Sequence, residues 1–344
     1  MRVVFVFLCS MLPVLTWSES FVADLTHCDM NPMEIKLFVA NTVPDEEVQI
    51  IEEQVCLSKE LYFDRHGTNW EMTSPIYIAL LDRDSSQGAV DLENLYCSYV
   101  LEHHPDNGRC RHGRQGCQTS GKCIFTDEIG NVSGSAISSS RRRDGFYLFI
   151  SKSHELPRHE KGYRSVALHE LFHVYQLSSI SNPSISRVDE YRLLGKRMGT
   201  RSVDVPWWSE GTAVYLSHYF YDQQPGAVVN SLRNEMHRYL TTDYDGSGLG
   251  SIPDQYNNAG KPLTDFTFQT PDKNVAYRMG AWFVAFLVNQ VGVNKIFEFY
   301  AGLEESGSFE NQFVATFGKS HIEFLDDFDA FLERPYAEKM AIIP

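Results

Sequence analysis

Arg164-Ser165-Val166-Ala167-Leu168-His169-Glu170-Leu171-Phe172-His173-Val174-Tyr175-Gln176 is the stretch on which the reading of the whole chain turns. Leu168, Leu171, Phe172 and Tyr175 recur at helical spacing and give the segment faces to bury. His169 and His173 stand four residues apart, one turn along a single face, so both imidazoles can reach one zinc ion. Glu170 follows the first histidine, where its carboxylate can take a proton from a zinc-activated water. A chance H-E-x-x-H on a surface helix would have charged neighbours, whereas this one is embedded in an apolar pattern.

Catalytic zinc needs a third protein ligand and one open position. The short histidine spacing used by metzincins would place Gly at 176 and His at 179. The residues there are Gln176 and Ser179, which excludes that class. What remains is an acid on a following helix, and there are two candidates. Glu190, in Val188-Asp189-Glu190-Tyr191, is flanked by charge and reads as part of a solvated face. Glu210, in Pro206-Trp207-Trp208-Ser209-Glu210-Gly211-Thr212-Ala213-Val214-Tyr215, is the sole acid of an apolar, aromatic run. A carboxylate placed there needs a strong partner such as a metal, so Glu210 is taken as the third ligand over a buried Glu with no metal role.

His169-Glu170-x-x-His173 followed by Trp208-Ser209-Glu210-Gly211-x-Ala213-x-Tyr215, with 36 residues between His173 and Glu210, resembles the gluzincin metallopeptidases, especially peptidase MA-like proteins with a W-x-E-G-x-A-x-Y motif. Ala276-Tyr277-Arg278-Met279-Gly280-Ala281-Trp282-Phe283 resembles the Y-x-x-G helix start of aminopeptidase N-like catalytic domains. The stretches Phe309 to Gly318 and Phe324 to Phe331 resemble that family's C-terminal helices. The resemblance covers roughly residues 40 to 335, apart from a Cys-rich insert. It implies a zincin-like fold and a hydrogen bond from Tyr277 to the oxyanion of a tetrahedral intermediate. Read from the residues alone, Tyr277 is equally a core aromatic. No counterpart of the aminopeptidases' G-x-M-E-N stretch occurs between residues 120 and 160, so the resemblance favours an endopeptidase. It further implies that a strand at 145–150 lies along an extended substrate and pairs with its backbone.

The rest of the chain frames this site. Its 344 residues are 43% hydrophobic and carry 45 acidic against 30 basic side chains, a formal net charge of -15. That balance excludes disordered, low-complexity and nucleic-acid-binding classes and leaves an acidic globular protein. Met1-Arg2, the apolar run Val3 to Leu15 and Trp17-Ser18 have the layout of a signal peptide over residues 1–18. No other run is long and apolar enough to span a membrane, so a secreted protein is expected. Beyond Cys9, the six residues Cys28, Cys56, Cys97, Cys110, Cys117 and Cys123 read as three disulfides of open pairing, the last four in a Cys-rich insert over 97–123.

An N-terminal α/β subdomain is expected over 19–160. A helix runs from Pro44-Asp45-Glu46-Glu47 through Val48, Ile51, Val55 and Tyr62, and Pro75 to Leu81 is a buried strand. Residues 84–143 read as loop-rich and include the glycosylation sequon at Asn131 and a basic turn at Arg141-Arg142-Arg143. A second strand follows at 145–150. Helices over 163–178, 208–222, 226–240, 274–291, 294–304 and a group from 309 to 334 make a helical zinc-binding subdomain, 161–344. The expected class is α+β: an N-terminal mixed β-sheet with a helix and a disulfide-rich insert, then a mainly helical half.

Asp243, Asp245, Ser247, Gly248, Ser251 and Asp254 fall at positions 1, 3, 5, 6, 9 and 12 of a Ca2+ loop. Position 8 is Gly250 rather than an aliphatic residue and position 12 is Asp rather than Glu, so a Gly-rich surface turn is the preferred reading. The sequence as a whole reads as a Zn2+-dependent peptidase acting on a peptide or protein substrate. The alternatives are an amide or ester hydrolase on the same zinc site, or a non-enzymatic binding protein. Glu170 argues against the last, because binding zinc does not require it.

Overall fold

The computed structural model describes residues 20–25, 28, 34–64, 75–81, 86–108, 110–111, 125, 146–151, 160–182, 184–199, 202–242, 248–269 and 272–344. The proposed leader, Cys117, Cys123, Asn131, Arg141 to Arg143, Asp243, Asp245 and Ser247 lie outside them. Among the described residues the chain is mixed α/β and mostly helical, with one small sheet.

Strands β1 (Phe21–Asp24), β2 (Ile35–Val39), β3 (Ile76–Leu81) and β4 (Phe146–Ser151) form that sheet in the order β1-β2-β3-β4. The β1-β2 pair is antiparallel, and β2-β3 and β3-β4 are parallel, with Ile78 opposite both Leu37 and Leu148. Parallel neighbours need a crossover, and each parallel pair here is joined through a helix: α1 (Asp45–Ser58) precedes β3 and α2 (Ser86–His103) precedes β4. Every residue of β3 is buried, as suits a parallel strand covered on both faces and its unbroken run Ile-Tyr-Ile-Ala-Leu-Leu.

Helix α1 starts where Pro44 is extended and Asp45, Glu46 and Glu47 meet the positive helix end. It then widens into a π-helical turn, Lys59–Asp64, which turns Tyr62 inward. The Tyr62 hydroxyl donates to the carbonyl of Leu168 at 3.2 Å, next to His169 in sequence.

Helix α2 corrects the sequence reading, which takes 84–143 as loop-rich. Ala89, Leu92, Tyr96 and Val100 keep a three-to-four spacing and are buried. Gly88, the serines and the cysteine density obscure this stripe. Phe38 of β2 stacks edge-on against Tyr96 and Tyr99 at 5.0 and 5.4 Å, which holds the helix to the sheet. Disulfides join Cys28 to Cys56 and Cys97 to Cys110, both within the first 110 residues.

Past β4 the described chain is helical: α3 (Glu160–Ser178), α4 (Arg187–Leu193), α5 (Ser209–Asp222), α6 (Ser231–Thr241), α7 (Ile252–Ala259), α8 (Asp272–Val291), α9 (Asn294–Ala301), α10 (Leu303–Ser306), α11 (Phe309–Phe317), α12 (His321–Leu332) and α13 (Tyr336–Met340). Helices α4 and α7 are too short for a clear apolar period, but each is opened by a serine cap, Ser186 and Ser251. Helix α6 begins five residues later than its pattern predicts, because Asn230 turns left-handed with φ 58°. One core runs from the sheet through these helices. Trp208 is buried at the start of α5, packed on Phe299 and Phe313 at 5.1 and 5.5 Å, so the C-terminal helices fix that end of α5. No helix among the described residues is long and apolar enough to cross a membrane.

Candidate metal centre

Helix α3 has Ala167, Leu168, Leu171, Phe172, Val174 and Tyr175 buried, which leaves the His169–His173 face turned to α5. Glu210 meets it from the first turn of α5. The Nε2 atoms of His169 and His173 are 3.1 Å apart, and Glu210 Oε2 lies 3.4 and 3.1 Å from them. Ligands about 2.0–2.1 Å from a tetrahedral ion lie about 3.4 Å from one another, so these three atoms fit the separations that one zinc imposes. Two imidazoles and a carboxylate are also the donor types zinc takes. Among the described residues this is the one group of three His, Cys, Asp or Glu side chains placed to hold a metal.

Burial pushes the Glu210 carboxyl towards protonation, but His173 and His169 beside it prevail and hold it well below the usual carboxylate range. The carboxylate is therefore available as a ligand. Of the three side chains His169 is the most exposed, at 16% against 9% for His173 and 8% for Glu210, so the centre opens to solvent on the His169 side.

Glu170, the residue after His169, is buried at 2% exposure. Tyr277 of α8 lies close to both carboxylates: burial first, then the charges of Glu210 and Glu170, push its hydroxyl far above the usual phenol range. The hydroxyl keeps its proton and faces Glu210 as a hydrogen-bond donor. The five residues singled out in the sequence thus come together from α3, α5 and α8.

The approach of α5 to α8 depends on two glycines. A Cβ on Gly211 would sit 2.5 Å from the carbonyl carbon of Gly280, and one on Gly280 would collide with the Trp207 carbonyl oxygen. Backbone touches backbone here, which brings Tyr277, one turn before Gly280, over Glu210. The E-G and Y-x-x-G motifs are two sides of this contact.

Compared with known protein families, curated proteins and solved structures, the chain matches none. The gluzincin resemblance rests on the motif residues alone.

One expectation changes, and the Ser251 and Asp254 positions gain a structural account. Glu190 is buried rather than solvated, since α4 turns it inward while Asp189 and Arg192 stay outside; it is not a member of the donor cluster. Ser251 and Asp254 form the capping box of α7, with the Asp254 carboxylate accepting from the Ser251 N–H at 3.0 Å, which accounts for both residues without an ion. Sequence reading also missed the support behind His173. Its Nδ1 lies 2.8 Å from Gln176 Oε1, and the two protons of Gln176 Nε2 are shared among the Ser209 carbonyl, Thr212 Oγ1 and the Tyr300 hydroxyl, all 2.8–2.9 Å away. The signal was a polar side chain three residues after the second histidine on a buried helix.

Proposed function

We propose that this chain is a secreted zinc metallopeptidase with a zincin-like arrangement, cleaving within peptide or protein substrates. The observation that carries the reading is the convergence of His169, His173 and Glu210 donor atoms to within 4.8 Å of one another, with Glu170 and Tyr277 at the same centre. A zinc ion held there would supply a Lewis acid for the scissile carbonyl and bring a water's pKa towards neutrality. Glu170 takes a proton from the attacking water and returns it to the leaving amine. Tyr277, kept protonated, donates to the oxyanion that develops on the carbonyl. The strand-then-helix order of β4 and α3 supports the zincin-like reading, and the missing G-x-M-E-N stretch supports internal cleavage. The leader-like first 18 residues and the two disulfides support export.

Zinc titrated into metal-free protein is expected to bind at one equivalent per chain, and the loaded protein is expected to cut a diverse peptide library at internal bonds, read by mass spectrometry. Binding without cleavage sinks the peptidase assignment and points to another hydrolase or a binding protein; absence of binding sinks the metal site. Tyr277→Phe should lower turnover about 100-fold with zinc content unchanged. An unchanged rate would return Tyr277 to the core.

A further inference from the structure

Gln176 contacts a metal-ligand candidate with one end and three groups with the other, and the chemistry of those groups orients its amide. The Ser209 carbonyl can only accept, so the atom facing it must be Nε2, and Oε1 must face His173. An amide oxygen can only accept in turn, so the proton of that 2.8 Å contact belongs to His173 Nδ1. The neutral ring then presents a lone pair at Nε2. Glu210 Oε2 lies 3.1 Å from that lone pair. Two lone pairs facing each other at this distance are stable with a cation between them, or with a second proton on the ring.

We propose that Gln176 is a positioning residue that locks His173 in the Nδ1–H tautomer, so that Nε2 is offered to the metal, and that it ties α3 to α5 while doing so. The second task follows from its partners. Ser209 and Thr212 sit on α5 on either side of Glu210, and Tyr300 belongs to α9. Thr212 Oγ1 and the Tyr300 hydroxyl are themselves 3.1 Å apart. All four side chains or carbonyls are buried, so each hydrogen bond left unmade is costly. One amide therefore fixes the ring rotation of His173 and the register of the helix that carries Glu210. This inference rests on the metal-binding half of the functional reading and needs no peptidase activity.

The test uses the full chain. Gln176→Met keeps the volume and removes the acceptor; zinc affinity, measured by competition with a chromophoric chelator, should fall about 10–100-fold. Gln176→Glu restores an acceptor for Nδ1–H but turns an oxygen towards the Ser209 carbonyl, which cannot donate, so it should recover the protected Nδ1 proton and only part of that affinity. In the zinc-loaded wild type, 15N-histidine NMR should show an Nδ1 proton on His173 protected from exchange with water, and Gln176→Met should lose that protection. A role confined to helix packing predicts neither the rescue by Glu nor the change at Nδ1. Unchanged affinity and retained protection in Gln176→Met would overturn the proposal. If Gln176→Met does not fold, Gln176→Glu decides: a protected Nδ1 proton supports the lock, and an unprotected one overturns it. A wild type that binds no zinc fails the metal reading instead, and Nδ1 protection in the metal-free protein still tests the lock.

Discussion

Glu170→Gln is expected to lower peptide cleavage by about 10²–10⁴-fold while one zinc stays bound per chain. The two outcomes separate because Glu170 stands beside His169 in sequence but is not one of the three donors at the centre. Gln has the same shape, so the helix packing around a residue at 2% exposure is preserved. What it lacks is basicity, and a group that cannot take a proton cannot activate water or deliver a proton to the leaving amine. Cleavage of a fluorogenic peptide, with zinc content measured on the same sample, reads both. A variant that cleaves at the wild-type rate removes Glu170 from the mechanism. A variant that loses its metal makes Glu170 a support for the site, and the proposed chemistry would need another base.

The site was more legible in the sequence than the fold around it. Histidines four apart on an apolar helix leave one geometric solution, and a lone carboxylate among Trp207, Trp208 and small residues has few reasons to be buried. Tyr277 could be located but not assigned, because an aromatic on an apolar helix has the same pattern whether it lines a site or fills a core; the nearby carboxylates became visible only with α8 in place. Helix α2 was lost because Gly88 and clustered cysteines are turn signals locally, while its stripe of Ala89, Leu92, Tyr96 and Val100 acquires meaning only against Phe38 of the sheet. Glu190 was misjudged for the complementary reason: charged neighbours in sequence occupy the other faces of a seven-residue helix and say nothing about its inner one. Gln176 was read only for the glycine it is not, since the partners of its Nε2 lie 33 to 124 residues away.

Gly280→Ala should destabilise the protein by about 3 kcal/mol and weaken zinc binding along with it. The sign runs against helix propensity, because Gly280 lies inside α8, where Ala in place of Gly ordinarily stabilises by up to about 1 kcal/mol. Here the new methyl meets the Trp207 carbonyl oxygen and lies 3.1 Å from the Gly211 Cα, both backbone atoms that no rotamer change can move. Relief requires α8 to shift from the first turn of α5. That turn carries Glu210, and α8 carries Tyr277, so the displacement separates both side chains from the histidine pair on α3. Chemical denaturation and chelator competition on the same variant read the two effects. Gly108→Ala is the control: it is exposed, with nothing within 4 Å of the added Cβ, and should change neither quantity. If Gly280→Ala matches that control, the glycine contact does not set the spacing of α5 and α8, and the positions of Glu210 and Tyr277 must be fixed by the aromatic packing around Trp208 instead.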